Sequence, residues 1–182
     1  MTVAASPIVA SNDAASGING LVGATAVVNA FTSDTVNGVA ASPANATLSV
    51  APGAVPNGLT FDLATGNVDV AAGTPAGSYS FTYQLCETLN PSNCASATIT
   101  VDVVAAAIAA DADSVSGVNG ASGAANVLNV LDGDTLNGVA VSPSTVTLSV
   151  LMGLLPLYWD LPVPTAAVVC RLFQLLSTLP SS

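Results

Sequence analysis

Eleven acidic side chains stand against one basic residue, Arg171, across 182 positions, and the formal charge of -10 leaves nothing to neutralise a phosphate backbone or an anionic lipid surface. Histidine and lysine are absent, which removes His-dependent triads, HExxH-type zinc sites, Schiff-base chemistry and the phosphate-loop lysine. Alanine, valine, threonine, serine and glycine dominate, with no long run of helix formers, so the composition is that of an all-β protein whose acidic surface keeps it self-repelling.

The opening residues lack the basic and continuous apolar regions of a secretory signal, and the chain reads as a fragment of a longer array. Pro7-Ile8-Val9-Ala10 is a short edge segment, and the glycines of residues 17 to 23 read as turn punctuation without phosphate-loop spacing. Ala26 to Phe31 is a strand that leads into Asn37-Gly38, a dipeptide suited to positive φ. In Thr47-Leu48-Ser49-Val50, Leu48 and Val50 face inward.

Leu59-Thr60-Phe61-Asp62 and Asn67-Val68-Asp69-Val70 flank Ala64-Thr65-Gly66 as a hairpin. Two carboxylates there could serve a glycosidase, but an Asp at the start of a turn more simply accepts from backbone donors. Ser78 to Cys86 alternates strictly, with Tyr79, Phe81, Tyr83 and Leu85 on one face. Beyond the Asn90-Pro91-Ser92-Asn93 loop, Ala95, Ala97, Ile99, Val101 and Val103 point inward. Antiparallel pairing about that loop sets Cys86 opposite Cys94, Gln84 opposite Ser96 and Thr82 opposite Thr98, with both cysteines on the solvent face. A cross-strand disulfide follows, and with it an oxidising compartment. Two free thiols are the alternative, and metal ligation lacks further ligands nearby.

Asp34-Thr35-Val36-Asn37-Gly38-Val39-Ala40-Ala41-Ser42-Pro43 and Thr47-Leu48-Ser49-Val50 return, nearly unchanged, as 134 to 143 and 147 to 150. The gapless 100-residue offset is about the length of one small β-sandwich domain. Residues 1 to 104 therefore form a complete module, 105 to 150 the N-terminal half of a second copy, and 151 to 182 a tail of different character. Val104 to Ala110 leaves almost no linker, which suits tandem modules in a stiff rod. Calcium, were it bound, would use oxygen ligands of the kind Asp13, Asp34, Asp102, Asp111 and Asp113 supply. Solvated turn carboxylates are the favoured reading, because no dense Asp run of fixed spacing occurs.

The tail becomes rich in leucine and holds the chain's only Trp and Arg. Pro156, Pro162, Pro164, Asp160 and Arg171 interrupt it too often for a membrane span. The abrupt change points to a reading-frame shift near codon 150; a divergent C-terminus and a short lipid-facing segment are the rivals. On the frame-shift reading, the second module lacks the strands that cover its first half and exposes apolar surface.

Gly58 to Gly66, Ala72-Gly73-Thr74-Pro75-Ala76-Gly77-Ser78-Tyr79 and Tyr83-Gln84-Leu85-Cys86, with Asn12-Asp13 and Asp34 to Gly38, resemble bacterial immunoglobulin-like, cadherin-like tandem repeats of large exported surface proteins and adhesins. The resemblance implies an immunoglobulin-like Greek-key β-sandwich and a non-catalytic structural or adhesive role at the cell surface or outside the cell. The implied partners are neighbouring repeats of the same chain and a surface glycan or protein. A carbohydrate-binding module and a calcium-dependent adhesion module are the alternatives. No cofactor other than calcium is implied, and the acidic cluster of calcium-binding relatives is thinned here to Ser11-Asn12-Asp13 and Asp111-Ala112-Asp113.

Overall fold

The computed structural model describes residues 6–150, and the leucine-rich tail lies outside the described residues. The chain divides into two compact units, Met1–Ala106 and Ala107–Ser182. The described residues are strands and turns without a helix, so none is long and apolar enough to cross a membrane.

In the first unit the strands are β1 (Ile8–Val9), β2 (Asp13–Asn19), β3 (Ala24–Asn29), β4 (Thr35–Val36), β5 (Val39–Ala40), β6 (Ala46–Val50), β7 (Leu59–Phe61), β8 (Asn67–Val70), β9 (Gly77–Glu87) and β10 (Cys94–Val104). Two sheets, ordered β2-β10-β9-β6 and β3-β8-β7, share one core, and β1-β4-β5 forms a small third sheet. The chain passes from one main sheet to the other between β2 and β3, between β3 and β6 by way of β4 and β5, between β6 and β7, and between β8 and β9, giving a Greek-key β-sandwich of immunoglobulin-like type.

The alternation of apolar residues builds the core. Leu59, Val68 and Val70 on one sheet meet Phe81, Tyr83, Leu85, Ile99 and Val101 on the other. Phe61 crosses the gap, its ring centroid 5.3 Å from that of Phe81 and 6.2 Å from that of Tyr83. The β9–β10 register is the expected one: Cys86 faces Cys94, Gln84 faces Ser96 and Thr82 faces Thr98. Asn37 and Gly38, at φ 53° and 73°, make the tight turn between β4 and β5, where two successive positive φ values match the twist of a two-residue hairpin.

Three sequence expectations change, the first at Asp34, which was read as a solvated turn carboxylate and is buried. Residues 13–19, whose Gly17 was read as turn punctuation, form edge strand β2, parallel to β10, with a bulge between the Val101 and Val103 pairings. Ala, Ser, Asp and Gly carry little strand preference of their own, so pairing along β10 imposes the conformation. Cys86 shares one face with Cys94, its bonded partner directly opposite, as expected, but is buried there rather than open to solvent. The alternation of burial ends at Leu85: Cys86 lies in a central strand between Cys94 and Thr47, and Glu87 is held down by polar partners.

The second unit repeats only part of this pattern among its described residues. Strands β11 (Ile108–Ala109), β12 (Thr135–Leu136) and β13 (Val139–Ala140) rebuild the small sheet at the 100-residue offset, and Asn137 and Gly138 repeat the turn at φ 52° and 75°. Residues 113–119, 124–129 and 146–149, the counterparts of β2, β3 and β6, are not paired as strands.

Candidate functional site

The most concentrated polar chemistry in the first unit surrounds the hydroxyl of Tyr83. Strand β9 delivers this side chain inward by parity, and β6 and β10 on either side remove it from solvent. Asp34 arrives from the turn after β3, which Asn29 shapes by accepting from Phe31 N through Oδ1 and from Thr32 N through its carbonyl. Asp13 stands at the start of β2, opposite Ile99 of β10.

Tyr83 donates to Asp34 Oδ2 at 2.8 Å, and three further oxygens surround its hydroxyl: Ala30 O at 3.1 Å, Asp13 Oδ2 at 3.2 Å and Ser11 O at 3.3 Å. One hydroxyl has one proton, and the short contact to a carboxylate is where it is best placed. The other oxygen of Asp34 accepts Ser11 N at 2.7 Å. Asp34 therefore joins the β1–β2 connection, its own turn and β9.

Burial raises the affinity of both carboxylates for a proton. For Asp13 it outweighs the Tyr83 hydroxyl, which acts the other way, and the charge of Asp34 adds to the rise. For Asp34 it outweighs the hydrogen bonds from Ser11 and Tyr83. Burial, followed by the hydrogen bond to Asp34, pushes the Tyr83 hydroxyl far above its ordinary value. The proton on Tyr83 is held, and Asp34, only 1% exposed, gives no substrate an approach. The cluster clamps strands together.

A second polar cluster sits beside the disulfide. Cys86 and Cys94 are bonded at 2.05 Å between sulfurs. Next to them Glu87 accepts Ser6 Oγ at 3.0 Å and Asn93 Nδ2 at 3.0 Å, while Asn93 Nδ2 also donates to Ser6 O at 2.7 Å. Hydrogen bonds from Asn93 foremost, then Asn90, and lastly Ser6 hold the Glu87 carboxyl below its usual range. Asp62 is likewise lowered, by the Thr65 hydroxyl first and then Ala64 N, and so performs the turn role that its position suggests.

Of the five aspartates named as calcium candidates, the structure brings Asp13 and Asp34 together around Tyr83. Asp102 is exposed on β10 opposite Ser78, toward the end of the β9–β10 pair away from the cysteines. In the second unit Asp111 is exposed and its backbone N–H donates to Asp134 Oδ1 at 2.7 Å, while Asp113 is half-buried. Among the described residues no group of three or more His, Cys, Asp or Glu converges as a metal shell. Sequence reading placed Tyr83 in the core but missed its polar role, which depends on contacts spanning 49 to 72 residues. The Ser6–Glu87–Asn93 network was missed as well; its one local sign is an acidic residue at the end of a strand before an Asn-rich loop.

No family model matches the chain, and no curated protein matches it. Solved structures of similar arrangement include a SusE-like surface-located polysaccharide-binding protein from the heparin utilisation locus of Bacteroides thetaiotaomicron, with TM-score 0.37 and 19% identity over 55% of this chain and 15% of that one. A protocadherin gammaB7 EC3-6 cis-dimer structure gives TM-score 0.43 and 14% identity over 63% of this chain and 27% of that one. The third cadherin domain of human protocadherin 7 gives TM-score 0.39 and 13% identity over 54% of this chain and 85% of that domain. This chain thus spans well under two thirds of the first two, and its fold assignment rests on the strand pairing and shared core described above.

Proposed function

We propose that this chain is a non-catalytic structural and adhesive repeat module of a bacterial cell-surface or secreted protein. The observation that carries the reading is the recurrence, at a 100-residue offset, of one three-stranded sheet with one Asp-to-backbone clamp. Ser11 N donates to Asp34 at 2.7 Å in the first unit and Asp111 N to Asp134 at 2.7 Å in the second. Repetition of a folding unit suits a protein whose task is to extend and present a surface. The Cys86–Cys94 bond supports an oxidising location, either extracellular or at the cell surface.

The alternatives are a carbohydrate-binding module and a calcium-dependent cell-adhesion module. The first calls for an open aromatic ring to stack on a sugar; Tyr83 is buried, and Tyr79 donates its hydroxyl to Pro75 O at 2.8 Å. The second would draw on Asp13, Asp34, Asp102, Asp111 and Asp113.

Protease shaving of intact producing cells, together with a glycan array and a calcium titration of the full chain, separates these readings. Release of its peptides from intact cells or their recovery from the medium, with no glycan bound and no calcium-dependent change in melting temperature, is expected. Retention of the chain inside cells overturns the proposal. Saturable glycan binding moves the assignment to the first alternative, and a calcium-dependent rise in melting temperature that Asp13→Asn abolishes moves it to the second.

A further inference from the structure

We propose that residues 107–150 form a strand-accepting half-module whose occupant is a tyrosine-bearing segment of the β7–β10 kind, supplied by another repeat. The first unit shows what its counterpart accepts: β2 pairs with β10, β3 with β8 and β6 with β9. Every one of those partners lies within residues 57–104.

In the second unit the accepting positions are present and the local geometry is set. The small sheet is formed, and left-handed residues recur in register at Gly17 and Gly117, Gly23 and Gly123, and Ala26 and Asn126. Local turn preferences suffice for the left-handed glycines and Asn126, whereas strands need partners. The apolar side chains that such partners cover stand open. Val28 and Leu48 are each 7% exposed, but their counterparts Leu128 and Leu148 are 38% and 43% exposed, and Val127 and Val150 are also exposed.

A buried carboxylate gives the occupant its chemistry. Asp134 is 1% exposed, and among the described residues its side chain accepts only from Asp111 N, through Oδ1. Its counterpart Asp34 also accepts the Tyr83 hydroxyl through Oδ2, and that hydroxyl comes from β9. The occupant therefore carries a tyrosine at the position of Tyr83, flanked by the same alternating pattern. A folded second copy is a poor donor, because its own first unit already engages β7–β10; a repeat lacking its first half is a good one. Pairing of added strands to open ones supplies affinity through the main chain, and the tyrosine supplies register.

The test adds an oxidised peptide of residues 57–104 to the full chain and follows amide hydrogen exchange. Protection of 113–119, 124–129 and 146–149, rising saturably with peptide and with half-saturation roughly tenfold or more weaker for the Tyr83→Phe peptide, is expected. Absence of protection up to about 1 mM peptide overturns the proposal. So does protection already present without peptide, which means that the chain's own residues cover the face if it is independent of concentration, and that a second copy does if it is not. A variant with residues 57–104 joined directly after Val150 removes dependence on peptide solubility, and failure of 113–150 to gain protection there is equally decisive.

Discussion

Tyr83 donates a 2.8 Å hydrogen bond to Asp34 across 49 positions of sequence, with both side chains removed from solvent. The bond ties the central strand of one sheet to the turn that leaves the other, so each of its partners is more costly to lose than an ordinary surface residue.

Tyr83→Phe keeps the ring packing against Phe61 and leaves Asp34 Oδ2 without its donor. A hydrogen bond to a charged group lost in this way costs about 2 kcal/mol. The expected result is a lower urea midpoint with an unchanged slope. Tyr79→Phe is the control: its hydroxyl bonds Pro75 O at an exposed position, so its cost is expected to be about 0.5 kcal/mol or less. Equal midpoints for the two variants would falsify the clamp.

The carboxylates give stability opposing dependences on pH. Asp13 and Asp34 have raised proton affinity in the fold, so their contribution is fully present below the unfolded value near 3.8 and is lost as pH rises through the folded values. Asp62 and Glu87 are lowered, so theirs is present above the unfolded values of 3.8 and 4.5 and is lost as pH falls through the folded values. Wild type is therefore expected to gain on Asp13→Asn as pH is lowered from 7 toward 4, and to lose ground to Glu87→Gln as pH falls below 4.5. Urea unfolding of the three proteins at several pH values measures both differences, and flat differences would show that these environments do not perturb the groups.

How far the sequence went is clearest at β9 and β10. Strict alternation over residues 78–86 and the position of the Asn90–Asn93 loop were enough to place Cys86 opposite Cys94, because register follows from parity once the turn is located. The Asn37-Gly38 turn was legible for a similar reason: its requirement is local. Strand β2 was not, since its residues are held extended by a distant neighbour. Nor was the clamp, because an inward Tyr at position 83 reads as core until the chain brings Asp34 and Asp13 to its hydroxyl.

Reducing the Cys86–Cys94 bond frees a short loop between paired strands. The chain-entropy description assigns about 2.5 kcal/mol to such a closure. Thermal unfolding with and without reductant is expected to show a lower melting temperature in the reduced protein, and Cys94→Ser is expected to match it. An oxidised protein whose melting temperature is unmoved by reductant would mean that the strand pairing alone fixes the hairpin.

Gly20 lies where two stretches of backbone meet: its N–H donates to Val104 O at 3.0 Å and its carbonyl accepts Gly73 N at 2.8 Å. A Cβ there would collide with Thr74 O and stand 2.8 Å from Val103 Cγ1, and backbone cannot step aside as a flexible side chain can. Gly20→Ala is thus expected to destabilise by roughly 3 kcal/mol through overpacking. At Gly38 the space for a Cβ is open and only the positive φ of 73° opposes substitution, so Gly38→Ala is expected to cost about 1 kcal/mol. Denaturant unfolding of the two variants ranks steric closure against backbone preference. The reverse order would mean that the 71–74 turn yields to the added methyl, and that the approach of Gly20 to Thr74 is not a fixed feature of this end of the sandwich.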